Sequence, residues 1–282
     1  MDQAHLRVAI AAAQAGAAEL TRLHRHCVVR EKAPKDLVTD ADLASQQAIR
    51  TRLEAAFPGY AFVGEEEGET EPPEPVRRGD DDAPPCWVVD PLDGTVNYVH
   101  RLQSFAVSIG LYARGKMRLG VIYDPTRDEL FTGIDGEGAW LNGQPIRASG
   151  CEQLGEALIA CSFRSGIARD SSEVTRFVNV LEKCRSMRRL GSCALNLCYV
   201  ACGRLDAYWA TSVCAWDSAA GSVIAREAGA SLTAVDGGPL DDWLPKFCVA
   251  ASEPLQRSLL PLLSVPDGTN PDGTNPDGTN PN

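Results

Sequence analysis

Hydrophobic positions along this chain follow two rhythms, one recurring every three to four residues and one gathered in short continuous runs. Residues 3–30 are rich in alanine and leucine and free of proline, which predicts a long amphipathic N-terminal helix. A second helix is expected over residues 42–56, stopped by the Pro58-Gly59 turn. A short apolar run at 61–63 reads as a strand that delivers Gly64-Glu65-Glu66. Residues 67–85 are acidic and proline-rich and predict an exposed loop. The next strand, 86–89, ends in Asp90-Pro91-Leu92-Asp93-Gly94-Thr95. Further strands are expected at 105–112, 119–123 and 129–132, with Gly133, Gly136 and Gly138 marking hairpins.

The second half alternates. Strands are predicted at 157–162, 186–190, 207–209 and 246–251, and helices at 173–183, 193–202 and 218–229. Interleaved strands and helices, with an antiparallel middle, predict a mixed α/β layered sandwich and not a pure Rossmann unit. Residues 1–264 make up one expected domain. Beyond it, Pro266-Asp267-Gly268-Thr269-Asn270 recurs twice more before the chain ends at Asn282, a low-complexity stretch that predicts a disordered tail over 265–282.

Composition narrows the partners. With 282 residues and 44% hydrophobic content the chain can bury a substantial core. A net charge of −11 argues against nucleic acid, whose phosphates attract basic surfaces. A small phosphate substrate stays compatible if divalent cations bridge it to acidic residues. The ten cysteines are scattered without a C-x-x-C pair, which predicts reduced, mostly buried thiols. No basic start leads into an uninterrupted apolar block, and no run approaches transmembrane length, so a cytoplasmic protein with no membrane partner is expected.

Chemistry concentrates at strand ends. Asp90 and Asp93 lie three residues apart across a turn stiffened by Pro91, so their carboxylates and the Leu92 carbonyl can converge on a hard cation such as Mg²⁺. A helix starting after Gly94 would direct free N–H groups at the same point. Taken alone, this spacing also suits a plain strand-to-helix turn with an aspartate cap. Glu65 after a separate strand, and Asp217 at the start of another helix, add two acids that a layered α/β fold can bring to one site.

Three ordered segments carry a resemblance: Gly64-Glu65-Glu66, then Asp90 to Thr95 with Asn97-Tyr98-Val99-His100, then Trp216-Asp217-Ser218-Ala219-Ala220-Gly221. Together with Asp36-Leu37-Val38-Thr39 and Asp42, Ala106 to Gly110, and Gly191-Ser192-Cys193-Ala194-Leu195-Asn196, they are similar to the signature segments of the inositol monophosphatase family. The resemblance covers residues 3–262. It implies an αβαβα sandwich of the sugar-phosphatase type, two or three Mg²⁺ ions per site, sensitivity to lithium, and a homodimer. It implies Glu65, Asp90 and the Leu92 carbonyl as ligands of a first metal, and Asp90, Asp93 and Asp217 as ligands of a second. It further implies that Gly94 and Thr95 hold the phosphate, and that Thr95 with Asp42 helps deprotonate a water that Glu65 orients. Gly191, Ser192 and Cys193 would contact the alcohol part of the substrate, and Leu92, Asp93 and Asp217 complete the implied substrate-binding set.

The implied reaction is hydrolysis of a small polyol phosphate monoester, with myo-inositol 1-phosphate as the leading substrate. Sugar phosphates, fructose 1,6-bisphosphate and histidinol phosphate are alternatives in the same fold, and a catalytically retired binding protein is an alternative of another class. One departure bears on the choice. Inositol-specific members carry a glutamate where this chain has Ala210, which predicts broader specificity unless Thr211 or Ser212 replaces the lost acceptor. Other chemistries find little support. There is no G-x-S-x-G elbow, and all four histidines lie within the first 100 residues. His24 and His26 sit in a polar stretch that predicts a solvated helix face.

Overall fold

The computed structural model describes residues 3–33, 36–66, 71–80, 82–163 and 167–265. The repeats at 266–282, and residues 67–70 and 81 of the acidic stretch, lie outside the described residues.

Helix α1 (Gln3–Leu23) buries Ala9, Ala12, Ala13, Gly16, Ala17 and Leu20, a spacing of three to four residues that lines one face. It ends seven residues before the expected limit. His24 leaves the helix and packs its ring 4.7 Å from that of Tyr98 and 5.4 Å from that of Phe105, so it is not on a solvated face. The chain then enters a hairpin that the residue pattern did not predict, β1 (Val29–Ala33) antiparallel to β2 (Asp36–Thr39). Thr39 ends the hairpin and caps α2 (Asp40–Ala56): its Oγ1 accepts from the Ala41 N–H, while its own N–H donates to Asp42.

A seven-stranded sheet follows, from β3 (Ala61–Gly64), β4 (Cys86–Asp93), β5 (Ala106–Ala113), β6 (Lys116–Asp124), β7 (Glu129–Ile134), β8 (Gly138–Leu141) and β9 (Gln144–Pro145), ordered as numbered. Only β3 and β4 run parallel; every other pairing is antiparallel. Two short helices interrupt the run, α3 (Glu74–Arg78) and α4 (Thr95–Val99). Helix α3 corrects the expectation of a featureless loop over 67–85. Val76 on it is 1% exposed and packs in a cluster with Val63 and Val88, so one apolar side chain pins the segment to the sheet.

The second half contributes β10 (Leu158–Ser162), α5 (Ser172–Leu181), β11 (Ser186–Arg188), α6 (Cys193–Ala201), β12 (Ala207–Ala210), α7 (Ala215–Glu227), β13 (Ser231–Ala234), β14 (Phe247–Ala250) and α8 (Glu253–Leu263). Its five-stranded sheet has the order β11-β10-β12-β14-β13. Helices α1 and α2 cover one face of the large sheet, α6 and α7 fill the space between the two sheets, and α5 and α8 cover the far face of the small sheet. The result is a five-layer αβαβα sandwich.

The central layer is unusually close to the large sheet. Gly110, Gly120 and Gly133 are cross-strand neighbours on β5, β6 and β7. A Cβ at Gly110 would come 2.8 Å from the Ala219 Cβ, one at Gly133 would come 2.9 Å from the Ile224 Cα, and one at Gly120 would collide with the Ala220 carbonyl. This glycine row lets the backbone of α7 sit directly on the sheet, which fixes where its first turn points.

Candidate metal centre and substrate site

Strands β3 and β4 are parallel with Gly64 beside Val89, so the residues that follow emerge at the same sheet end. Glu65 comes off β3 there, its N–H donating to the Val89 carbonyl at 3.2 Å. Asp90 and Asp93 come off β4, where the pairing with β5 shifts register between them. That irregularity is held from both sides. The Asp90 Oδ1 accepts from the Leu92 N–H at 2.9 Å, and Ser45 on α2 donates to the Pro91 carbonyl at 2.8 Å. Gly94 then turns with φ 99°, a left-handed conformation, and a Cβ there would lie 2.9 Å from the Ser104 carbonyl. Helix α4 begins immediately after. Its Thr95 Oγ1 lies 3.2 Å from Asp42 Oδ1 and 3.1 Å from the Leu92 carbonyl.

Asp42 is fully buried and also accepts from the Thr39 hydroxyl at 2.6 Å. Burial pushes its carboxyl upward, opposed by the hydrogen bonds from Thr39 and Thr95. The pair predicted at Thr95 and Asp42 is thus in contact.

Asp93 performs a second task. Its carboxylate caps α6 across the central layer, accepting from the Ser192 hydroxyl and from the N–H groups of Cys193 at 3.1 Å and Ala194 at 2.8 Å. The segment Gly191-Ser192-Cys193 is thereby fixed against the β4 turn. Asn97 on α4 adds a tie, donating to the Leu190 and Ser104 carbonyls at 2.8 Å each. Gly191 has φ 83°, and a Cβ there would press within 2.9 Å of the Asn97 amide, so this junction depends on glycine.

The third carboxylate arrives on α7. Asp217 stands in its first turn and accepts from the Cys214 N–H at 2.6 Å. Asp90, Asp93 and Asp217 each offer an oxygen within 4.8 Å of the others. Among the described residues none of the three is paired with lysine or arginine. Two unit charges at that separation repel by roughly 3 kcal/mol at an effective dielectric near 20. Burial, and after it the charges of Glu65, Asp93 and Asp217 in that order, raise Asp90 well above the usual carboxylate range. Burial takes Asp217 to about 7, with the Asp93 charge adding to it. Asp93 rises less, to about 6, because the α6 donors stabilise its charged form against burial.

Glu65 stands beside this trio and not within it. Its carboxylate is engaged by Lys32 of β1 at 3.3 Å. Burial still raises it to about 8, with Lys32 opposing and Asp217 reinforcing the shift. Lys32 also reaches the buried Glu66 at 2.5 Å. The residue pattern gave no sign of Lys32, because a five-residue hairpin strand has no apolar periodicity.

The donor set fits a hard divalent cation: three convergent carboxylate oxygens without an internal counter-ion, plus a fourth nearby. The match to known proteins agrees. The inositol monophosphatase family matches residues 2–264. The chain belongs to that family. Among its relatives, the inositol-1-monophosphatase of Mesorhizobium japonicum is 40% identical over 237 residues, 83% of this chain and 85% of that protein. The Nus factor SuhB of Pasteurella multocida is 39% identical over 208 residues, 73% of this chain and 75% of that protein. The solved inositol monophosphatase of Anabaena (Nostoc) sp. PCC 7120 superposes with a TM-score of 0.81 at 34% identity, covering 94% of this chain and 97% of that one. As in that family, the chain is a phosphomonoesterase with the inositol monophosphatase fold.

The position of the missing glutamate is also defined. Ala210 ends β12 fully buried, in register with Ser162 and Phe247. The next residue, Thr211, contacts Glu173 of α5 through its hydroxyl. Ser212 is exposed. The Thr211 hydroxyl proton is therefore committed away from any alcohol group of a substrate. All ten cysteines are free thiols, Cys161, Cys193, Cys198 and Cys248 among the buried ones. Among the described residues no helix is long and apolar enough to cross a membrane.

Proposed function

We propose that this chain hydrolyses a phosphate monoester of a small polyol in a Mg²⁺-dependent reaction, with myo-inositol 1-phosphate as the leading substrate. The observation that carries the reading is the convergence of Asp90, Asp93 and Asp217 without a lysine or arginine partner among the described residues. Glu65, Asp90 and the Leu92 carbonyl would hold one ion, and Asp90, Asp93 and Asp217 another. Bound there, divalent ions would offset the charge of the phosphate dianion and lower the pKa of a water.

The chain's own residues have distinct roles in this reading. Asp42 accepts the Thr95 proton, leaving the Thr95 oxygen available to accept from the attacking water. Glu65 orients that water. The N–H groups of Gly94 and Thr95 bind phosphate oxygens, and Gly191, Ser192 and Cys193 receive the alcohol. Ala210 removes a carboxylate acceptor from that end, which favours a broader range of small phosphomonoesters. Family kinship extends the proposal to lithium inhibition and to a cytoplasmic homodimer.

The test is phosphate release from a panel containing myo-inositol 1-phosphate, sugar phosphates, fructose 1,6-bisphosphate and histidinol phosphate, with and without Mg²⁺. Absence of Mg²⁺-supported phosphate release across the panel would overturn this reading.

A further inference from the structure

The two glutamates after β3 share one cation. Lys32 Nζ lies 2.5 Å from Glu66 Oε1 and 3.3 Å from Glu65 Oε1, in a pocket where Glu66 is 4% exposed and Lys32 28% exposed. Glu66 is fixed independently, since its N–H donates to the Gln46 side chain of α2 at 3.0 Å. It therefore acts as the anchor, and Glu65 as the looser second partner. Glu65 is also the one acid of the predicted metal set that does not join the trio.

We propose that Lys32 is a positioning residue that acts as the internal counter-ion of Glu65 and competes with the divalent cation for it. The competition follows from charge and reach. An ammonium 3.3 Å from Glu65 occupies the carboxylate that the first ion needs, and its positive charge repels a cation approaching the same oxygen. The anchor at Glu66 lets Lys32 release Glu65 without leaving the pocket, so β1 stays seated. The ion pair offsets part of the charge that Glu65 adds to the three unpaired aspartates when no cation is present, at the expense of metal affinity. The alternative role, a simple staple holding the β1–β2 hairpin to the end of β3, predicts the opposite sign, because loosening the hairpin would disorder Glu65 and weaken binding.

This inference rests on Glu65 being a metal ligand, as proposed above. The measurement is Mg²⁺ binding to the full chain by titration calorimetry, with no substrate present. Lys32→Gln is expected to bind Mg²⁺ about tenfold more tightly than wild type, a difference of about 1.4 kcal/mol. Lys32→Met serves as a second neutral variant should the glutamine variant fold poorly, and it should tighten binding likewise. Lys32→Arg keeps the charge and should bind as wild type does. Unchanged or weaker binding in both neutral variants, with their melting temperatures in EDTA preserved, overturns the proposal. So does equal tightening in Lys32→Arg, which would trace the effect to size and not charge. No Mg²⁺ binding by wild type overturns the metal-dependent reading and this inference with it.

Discussion

Thr95 Oγ1 stands 3.2 Å from Asp42 Oδ1, joining the start of α4 to the first turn of α2 across 53 residues of sequence. Neither residue belongs to the acidic trio, so their contact separates proton handling from cation binding. Asp42→Asn and Thr95→Ala should each lower kcat by roughly 10²- to 10⁴-fold while KM changes little. Mg²⁺ affinity should stay within about threefold of wild type in Asp42→Asn, which contacts no proposed ligand, whereas Thr95→Ala also frees the Leu92 carbonyl of a hydrogen bond at 3.1 Å. Steady-state kinetics paired with calorimetric titration check both halves.

Asp93 and Asp90 should respond in opposite directions when the protein is metal-free. Asp93 caps α6 through three donors, so Asp93→Ala should lose about 1 kcal/mol or more of stability. Asp90 accepts one N–H, shares a hydrogen bond with Asp217 and is otherwise buried among like charges, so Asp90→Asn relieves burial of charge and repulsion and should raise the melting temperature in EDTA. Thermal unfolding in EDTA at pH 8 gives both values. A lower melting temperature for Asp90→Asn would show that its charge is compensated in a way the trio does not reveal.

The pH dependence follows from the same charges. Asp217 titrates at about 7 when folded, against an ordinary value of 3.8. The folded state then holds more protons than the unfolded chain between these values, so the stability of metal-free protein falls as pH rises from about 4 to about 7. Asp93, raised to about 6, steepens the fall within this window, and Glu65, raised to about 8, extends it at its upper end. Protons and divalent cations compete for these oxygens. The rise in melting temperature on adding Mg²⁺ should accordingly be larger at pH 8 than at pH 5, and Asp217→Asn should shrink the difference.

Much of this site was legible because its acids sit at strand ends with short local signals. Asp90-Pro91-Leu92-Asp93-Gly94 announces a strand end and a sharp reversal at glycine; the structure carries β4 on to Asp93, with a shift of register in place of the expected turn, and reverses at the left-handed Gly94. What was not legible depends on contacts far apart in sequence. Asp93 and the α6 cap are separated by about a hundred positions, and nothing local to either marks the other. The β1–β2 hairpin is not legible because strands of four and five residues, half exposed, carry no alternation to read. Helix α8 is hidden in the sequence for a different reason. Pro254 and Pro261 argue against a helix, yet Pro254 falls in the first turn, where its missing N–H costs nothing, and the helix lasts only two residues past Pro261.

Substrate range turns on Ala210. A carboxylate at that place could contribute a charge-assisted hydrogen bond of about 1.5–3 kcal/mol to a ring hydroxyl, a ten- to hundredfold effect on discrimination. Ala210→Glu should therefore raise kcat/KM for myo-inositol 1-phosphate relative to sugar phosphates by that order. Because Ala210 is fully buried, the larger side chain should also lower the melting temperature by several degrees. Comparing kcat/KM over the substrate panel for wild type and variant checks the first claim, and a thermal scan the second. A wild-type enzyme already strongly selective for myo-inositol 1-phosphate would contradict the role given to Ala210.

The most direct test of the account is phosphate release from myo-inositol 1-phosphate by wild type and by Asp90→Asn, each in Mg²⁺ and in excess EDTA. Asp90 is the residue through which both proposed ions would be shared, and it is 1% exposed at the centre of the trio. The expected result is turnover only for wild type in Mg²⁺, with a fall of at least a thousandfold in the other three conditions and both proteins folded in all four. Turnover by wild type in EDTA, or by Asp90→Asn at a rate near that of wild type, would contradict a metal-dependent site built on these carboxylates.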